Sequence, residues 1–248
     1  MPFENLLYLH DSYLRSFSAE VVAEDASGVV LSRTAFYPTG GGQPHDTGVL
    51  RSTSGSSLRV IDVVKRGDEV LHVLEGGVLQ RGEQVTGEID WERRYKFMRL
   101  HSAVHLVDGV IMRDYKEAFL TGSNIGEEGA RFDLDWPDLR KEQLPELEER
   151  VNQEALKGRE IRVKFLSRDE ASALPSLART KPGQELLSQL DWVRVVEIAG
   201  LDEQMDGGTH VANTKEIGEI RLLGFENKGR HNKRIELRLN PRGKLRSA

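Results

Sequence analysis

Two short stretches hold residue types that could do chemistry together. In L-H-S-A-V-H, His101 and His105 are four residues apart, the spacing that stacks two side chains on one helix face. In D-G-G-T-H, Asp206 and His210 repeat that spacing on a tight turn, with Gly207, Gly208 and Thr209 between them. Two ligands on a helix plus one or two on a distant turn suit a catalytic zinc site with an open position. The chain has no cysteine, so such a site must use imidazole and carboxylate, and no disulfide is available. The zinc-protease pattern H-E-x-x-H shares the spacing but needs glutamate after its first histidine, where this chain has Ser102. Taken alone, the histidine pair also suits packed or surface residues, and the turn suits a β-turn with an incidental histidine.

The elements that position these residues follow from hydrophobic periodicity. From Asp90 to Tyr115 a helical stripe runs through Phe97, Leu100, Val104, Val107 and Ile111, with Asp90 placed as N-cap and Glu92 in the first turn. Before it, short apolar runs such as A-E-V-V-A, G-V-V-L-S, L-R-V-I-D-V-V and E-V-L-H-V-L recur between Gly, Ser and Asp clusters, the rhythm of a small barrel or sandwich. Between two of them lies F-Y-P-T-G-G-G-Q-P-H-D-T-G, Phe36 to Gly48, a loop whose glycines leave the backbone uncluttered.

Past the helix, T-G-S-N-I-G-E-E-G-A-R-F-D-L-D-W reads as a hairpin and Asp138 to Leu156 as a second helix. Ile161, Val163 and Phe165 mark one face of a strand, and Leu166 to Ser188 is a helix–loop excursion. W-V-R-V-V-E-I, E-I-R-L-L and R-I-E-L-R-L read as strands of one antiparallel sheet. The expected fold class is α+β. Residues 1–89 form a β-barrel-like domain carrying the glycine-rich loop, and residues 90–248 an α+β metal-binding domain.

Of 248 residues, 38% are hydrophobic and 30% charged, the balance of an ordinary globular chain. No apolar run nears the roughly 18 residues that cross a bilayer, and the N-terminus lacks a signal-peptide pattern, so a cytoplasmic protein is expected. The net charge is −5, yet Glu226 to Ala248 holds eight Lys/Arg against two acidic residues. Such a segment suits phosphate contact or a solvated tail.

Set in order, L-H-S-A-V-H-L, D-G-G-T-H-V-A-N-T-K-E-I-G and F-Y-P-T-G-G-G-Q-P-H-D-T-G resemble the motifs of the alanyl-tRNA synthetase editing domain. G-S-N-I, A-R-F-D-L-D and N-K-G-R-H-N-K-R-I add to the resemblance, which spans about residues 3 to 240. It implies a free-standing, ATP-independent editing hydrolase that clears serine, or glycine, from alanine tRNA, with one zinc ion per chain and no obligate protein partner. His101, His105 and His210 are then the expected ligands. Asp206 stands where the family commonly has cysteine, and either binds the metal through oxygen or holds a water or a hydrogen bond beside it. Thr39 and Gln43 are expected at the substrate's hydroxyl, and Gly40, Gly41, Gly42, Gly207, Gly208 and Thr209 beside the ester. Lys228, Arg230, Lys233 and Arg234, or else Arg93, Arg94 and Lys96, are expected on RNA phosphates. The acidic helix face of Glu146, Glu148 and Glu149 is expected to turn away from RNA. Two rivals are a non-catalytic aminoacyl-RNA binding module and a metal-dependent hydrolase of small esters.

Overall fold

The structure, a computed structural model, describes residues 3–115, 118–179 and 181–240. It divides into two compact units, Met1–Met98 and Arg99–Ala248. The first opens with a short helix α1 (Leu7–His10) and is built on six strands: β1 (Ser16–Asp25), β2 (Gly28–Leu31), β3 (Gly48–Ser52), β4 (Ser57–Arg66), β5 (Glu69–Glu75) and β6 (Gln84–Ile89). They close into a barrel in the order β1-β2-β5-β4-β3-β6, so no edge is left unpaired. Residues alternate inward and outward along β1 and β6, as a half-buried strand requires. The interior is filled by Phe17, Val21, Leu31, Phe36, Leu50, Val60, Val63 and Val85. Each such side chain taken fully from water contributes roughly 1.5–3 kcal/mol.

Two of these strands contain glycines where a side chain has no room. Gly87 on β6 pairs with Phe17 on β1, and a Cβ at Gly87 would lie 2.4 Å from the Phe17 ring. At Gly48, a Cβ would lie 2.1 Å from the Glu88 carbonyl oxygen.

The division between units falls within the helix α2 (Trp91–Asp114). Asp90 caps it as expected, its Oδ1 accepting the Arg93 N–H at 3.3 Å. Residues 100–111 are all buried, so the apolar stripe is one side of a helix enclosed on every side rather than an amphipathic surface helix.

The second unit holds a hairpin of β7 (Phe119–Ile125) and β8 (Ala130–Asp135), then α3 (Leu144–Leu156) and β9 (Ile161–Ser167). The excursion between strands contains α4 (Arg168–Ser172) and α5 (Lys181–Gln189), and is followed by β10 (Trp192–Ile198), β11 (Asp202–Met205), β12 (Ile220–Asn227) and β13 (Lys233–Leu239). The three strands expected in one sheet lie in two: β11-β10-β9 form one, and β12-β13-β8-β7 the other. The helix expected from Asp138 begins at Leu144, with Pro145 in its first turn, a position that does not need the missing N–H. Asn152 of α3 binds both backbone groups of Ile220, at 2.8 Å and 2.9 Å, and so ties α3 to β12.

Within the barrel unit His72 is fully buried, 2.8 Å from Thr34 Oγ1 and 3.2 Å from the Val29 carbonyl. Burial pushes its pKa down to about 4, whereas an unfolded histidine titrates near 6.5. Between those values the unfolded chain binds a proton that the folded one refuses. Stability is therefore lost as pH falls from 6.5 to about 4, by on the order of 3 kcal/mol. Denaturant unfolding at pH 7 and pH 4 should show a smaller acid loss for His72→Gln than for the unaltered protein. An equal loss in both contradicts this assignment.

Candidate metal centre

Four polar side chains from two distant segments converge within the second unit. His101 and His105 project from α2 with ring centroids 5.0 Å apart, and His210 lies 4.5 Å from the first and 4.7 Å from the second. Asp206 joins them: its Oδ2 is 2.9 Å from His210 Nε2, and its Oδ1 is 3.5 Å from His101 Nε2 and 3.9 Å from His105 Nε2. One ligand atom from each of the four lies within 4.8 Å of the others. Tetrahedral coordination at zinc–nitrogen bonds of 2.0–2.1 Å sets donors about 3.3 Å apart, so the cluster has the dimensions of a cation site. Three nitrogens and one oxygen also match the donors that zinc accepts.

Each half of the cluster is held by identifiable neighbours. The Asp206 carboxylate accepts the Gly208 N–H at 2.6 Å, the local turn that aspartate favours two residues ahead. Arg194 on β10 donates to the Asp206 carbonyl at 2.7 Å and lies 3.6 Å from its carboxylate. Ser102, fully buried between the two helical histidines, sits 3.1 Å from His210 Nδ1 and accepts the Val211 N–H at 3.1 Å. Arg99 extends from α2 to the carbonyls of Glu216 and Ile217, at 3.1 Å and 2.7 Å. These bonds join the helix to the chain that follows the turn.

The protonation states suit a cation. Burial pushes His101 down to about 4 and His210 well below its ordinary value, keeping their ring lone pairs free of protons at neutral pH. Burial alone would push Asp206 up, but His101 and the hydrogen bond from His210 outweigh it and hold the carboxyl well below the usual range. The site therefore combines the neutral imidazoles of His101 and His210 with an anion.

Ser102 and Arg194 escaped the sequence reading as contributors to this centre. Arg194 left a signal, a charged residue inside the apolar run W-V-R-V-V, and it is 5% exposed. The turn glycines differ from expectation in one respect: neither Gly207 nor Gly208 has a positive φ, and a Cβ at Gly207 would meet nothing within 4 Å. The tight turn does not demand Gly207. Thr209 is fully buried.

The glycine-rich loop belongs to the barrel unit. Gly41 and Gly42 have φ of +54° and +81°, and Gly40 and Gln43 exchange both backbone hydrogen bonds across them, at 3.1 Å and 2.8 Å. This is a two-residue hairpin turn with positive φ at both central positions. Thr39 is exposed, and its Oγ1 accepts the His45 N–H at 3.2 Å. Gln43 is 1% exposed, an enclosed amide rather than a surface one.

The basic residues separate into exposed and occupied groups. Lys228 and Arg230 are exposed on the β12–β13 turn, where Lys228 lies 3.5 Å from the Glu226 carboxylate. Lys233 is not available to RNA there: it is 3% exposed, and its ammonium donates to Asn227 Oδ1 at 2.7 Å and the Gly229 carbonyl at 2.6 Å. Arg234 forms a two-pronged pair with Asp133, at 2.7 Å and 2.8 Å. Arg94 likewise departs from the surface role, being fully buried against Asp46. Arg93 donates to the His45 carbonyl, and Lys96 lies 5.4 Å from the Phe97 ring. The end of the basic segment, residues 241–248, lies outside the described residues. Among the described residues no helix is long and apolar enough to cross a membrane.

Residues 7–93 match the family described as tRNA synthetases class II (A), and residues 193–236 match the threonyl and alanyl tRNA synthetase second additional domain. The alanyl-tRNA editing protein AlaX-M of Saccharolobus solfataricus is 42% identical over 238 residues, covering 95% of this chain and 98% of that protein. The AlaX-M of Methanosarcina barkeri is 36% identical, covering 92% of this chain and 96% of its own. The alanine–tRNA ligase of Ignicoccus hospitalis is 37% identical over 90% of this chain, which corresponds to 24% of that ligase.

Removal of the ring that both Ser102 and Asp206 touch tests the centre. Zinc added to metal-free protein should raise its melting temperature, since an ion at about 1,000 times its dissociation constant stabilises the folded state by roughly 4 kcal/mol. His210→Ala should abolish the rise in a calorimetric scan. A rise of equal size in the variant counts against this centre.

Proposed function

The chain belongs to the AlaX-M family of alanyl-tRNA editing proteins, and from that membership we propose that it removes wrongly attached amino acids from alanine tRNA. The bond cleaved is the ester between serine, or glycine, and the terminal ribose. The observation that carries this reading is the convergence of His101, His105, Asp206 and His210 within 4.8 Å in a chain of that family.

The ester needs an activated water, stabilisation of the carbonyl oxygen and a pocket that separates serine from alanine. A zinc ion held by His101, His105, His210 and Asp206 supplies Lewis acidity or an anchor for the substrate's α-amino group. In such a site His101, His105 and His210 would each offer one ring nitrogen to the ion, and Asp206 would supply the balancing negative charge. Arg194 keeps the Asp206 backbone in place through its carbonyl. At Gly207 the missing side chain leaves open space, which suits the approach of an aminoacyl ester beside Gly208 and Thr209.

Thr39 and Gln43 are assigned to the serine hydroxyl. A site that hydrogen-bonds this hydroxyl favours serine by a bond that alanine cannot make. The loop supports this role: Gly40, Gly41 and Gly42 shape a fixed turn between the two residues, and Thr39 Oγ1 is held by the His45 N–H. Lys228 and Arg230 are assigned to RNA phosphates, whereas Lys233 and Arg234 organise the turn that presents them. The place of action is the cytoplasm.

The test is the purified full chain mixed with serine-charged and alanine-charged alanine tRNA, with and without chelator. Serine should be lost rapidly and alanine spared, the chelator should slow the loss, and Thr39→Val should narrow the preference. Retention of serine by folded, zinc-loaded protein defeats the reading, and binding of the charged tRNA without hydrolysis would favour a non-catalytic module. Removal of each phosphate contact, Lys228→Ala or Arg230→Ala, should lower the slope of log affinity against log salt by about 1. Slopes in both variants that match the unaltered protein's would place the RNA elsewhere.

A further inference from the structure

The two halves of the ligand cluster stand on separate elements, α2 and the chain leaving β11, and something must set the gap between them. Close backbone packing is one contributor. At Gly109, inside α2, a Cβ would lie 2.9 Å from Asp202 Cβ and 3.0 Å from Leu201 Cγ. Glycine costs a helix interior about 1 kcal/mol relative to alanine, and here it lets the helix meet the β10–β11 turn.

A buried polar network stands at the same place. Asp108, 3% exposed, accepts Arg179 Nη1 at 2.6 Å and Gln204 Nε2 at 2.8 Å on Oδ2, and the Leu120 N–H at 3.3 Å on Oδ1. Asp202, its side chain 3% exposed, accepts Gln204 Nε2 at 2.6 Å on one oxygen and Arg179 Nη2 on the other. One guanidinium and one amide thus each bridge the same two carboxylates. Asp108 lies three residues beyond His105, and Gln204 two residues before Asp206. The Asp108–Gln204 bond therefore joins helix to strand within one turn of a cluster residue on each side. Arg179, carried by the excursion between β9 and β10, is the cation that lets the two carboxylates face each other.

We propose that Arg179, Asp108, Asp202 and Gln204 are positioning residues for the metal centre, fixing the distance between its helical and turn halves. The proposal rests on the reading of the four-residue cluster as a metal site. Metal affinity then depends on Arg179, a residue outside the cluster that reaches it only through this network. Hydrogen bonds made directly to metal ligands change metal affinity about 10- to 100-fold, and this network, one step further out, acts at the lower end of that range. Arginine is needed because its planar fork spans both carboxylates, which a lysine ammonium cannot do in the same geometry.

Metal-free full-length protein titrated with zinc against a competing chelator tests this, alongside the melting temperature of each metal-free variant. Arg179→Lys keeps the charge, and Gln204→Met removes the helix-to-strand bond while leaving Arg179 across both carboxylates. Both should weaken zinc binding about 10-fold. Arg113→Met, in the last turn of α2, serves as a control: it removes a cation from buried Glu154 of α3, and should lower the melting temperature with zinc affinity unchanged. Unchanged affinity in both network variants overturns the proposal. So does an equal loss in Arg113→Met, since affinity would then follow stability alone. An unaltered protein that binds no zinc overturns the metal reading and this proposal together.

Discussion

Holding a largely enclosed carboxylate, its side chain 13% exposed, among three imidazoles is the constraint on which the second unit depends. An ionised group withdrawn from water costs several kcal/mol unless its lone pairs are met. Asp206 meets this through the Gly208 N–H, His210 and the nearby Arg194. Those partners dictate structure well beyond the turn. Arg194 must lie inside β10, so that strand has to be covered on both sides. Ser102 must reach Val211, so α2 has to run alongside the chain after the turn. A helix with His101, Ser102, His105 and Asp108 among its buried residues is stable only where each finds a partner.

The barrel unit contains a parallel case. Asp46 and Arg94 are both fully buried. Asp46 also accepts the Tyr37 N–H at 2.6 Å, and Arg94 donates to the carbonyls of Ser12 and Ala35. The two flanks of the glycine-rich loop are thereby fastened near Tyr37 and Asp46, and Thr39 and Gln43 lie on the short span between. Loss of either partner would leave an uncompensated buried charge, which costs about 3–5 kcal/mol. A charged aspartate and arginine near a glycine run thus mark a fastened loop here, and Arg94 carries no surface role.

Much of this was legible because the signals are local. The four-residue spacing of His101 and His105, the Asp90 cap and the short apolar runs of β1, β2, β4 and β5 need no knowledge of the rest of the chain. Partner choice was not legible. Nothing within R-I-E-L-R-L tells that β13 lies against β8, where Arg234 pairs with Asp133. Assigning that run to the sheet of β10 followed adjacency along the chain, which strand pairing does not obey. β6 was hidden because Gly87 argues against a strand until the Phe17 ring is seen to occupy its space. Two further details were present but read too coarsely. Pro145 excludes a helix running from Asp138 through Leu144. The alternation of Lys233, Ile235 and Leu237 on one face of β13 draws the lysine inward, whatever the charge of its neighbours.

The serine between the two helical histidines follows from the same electrostatics. When His210 donates from Nε2 to Asp206, its Nδ1 is an acceptor and the Ser102 hydroxyl must be the donor. A cation that takes the Nε2 lone pair requires the other tautomer, in which Nδ1–H donates and Ser102 accepts. A hydroxyl can do either while still accepting the Val211 N–H, because it has one proton and two lone pairs. A carboxylate at that position would fix His210 in one tautomer and add a second buried negative charge. An alanine would leave both Nδ1 and the Val211 N–H without this partner. Serine is thus compatible with the cluster in either tautomer of His210.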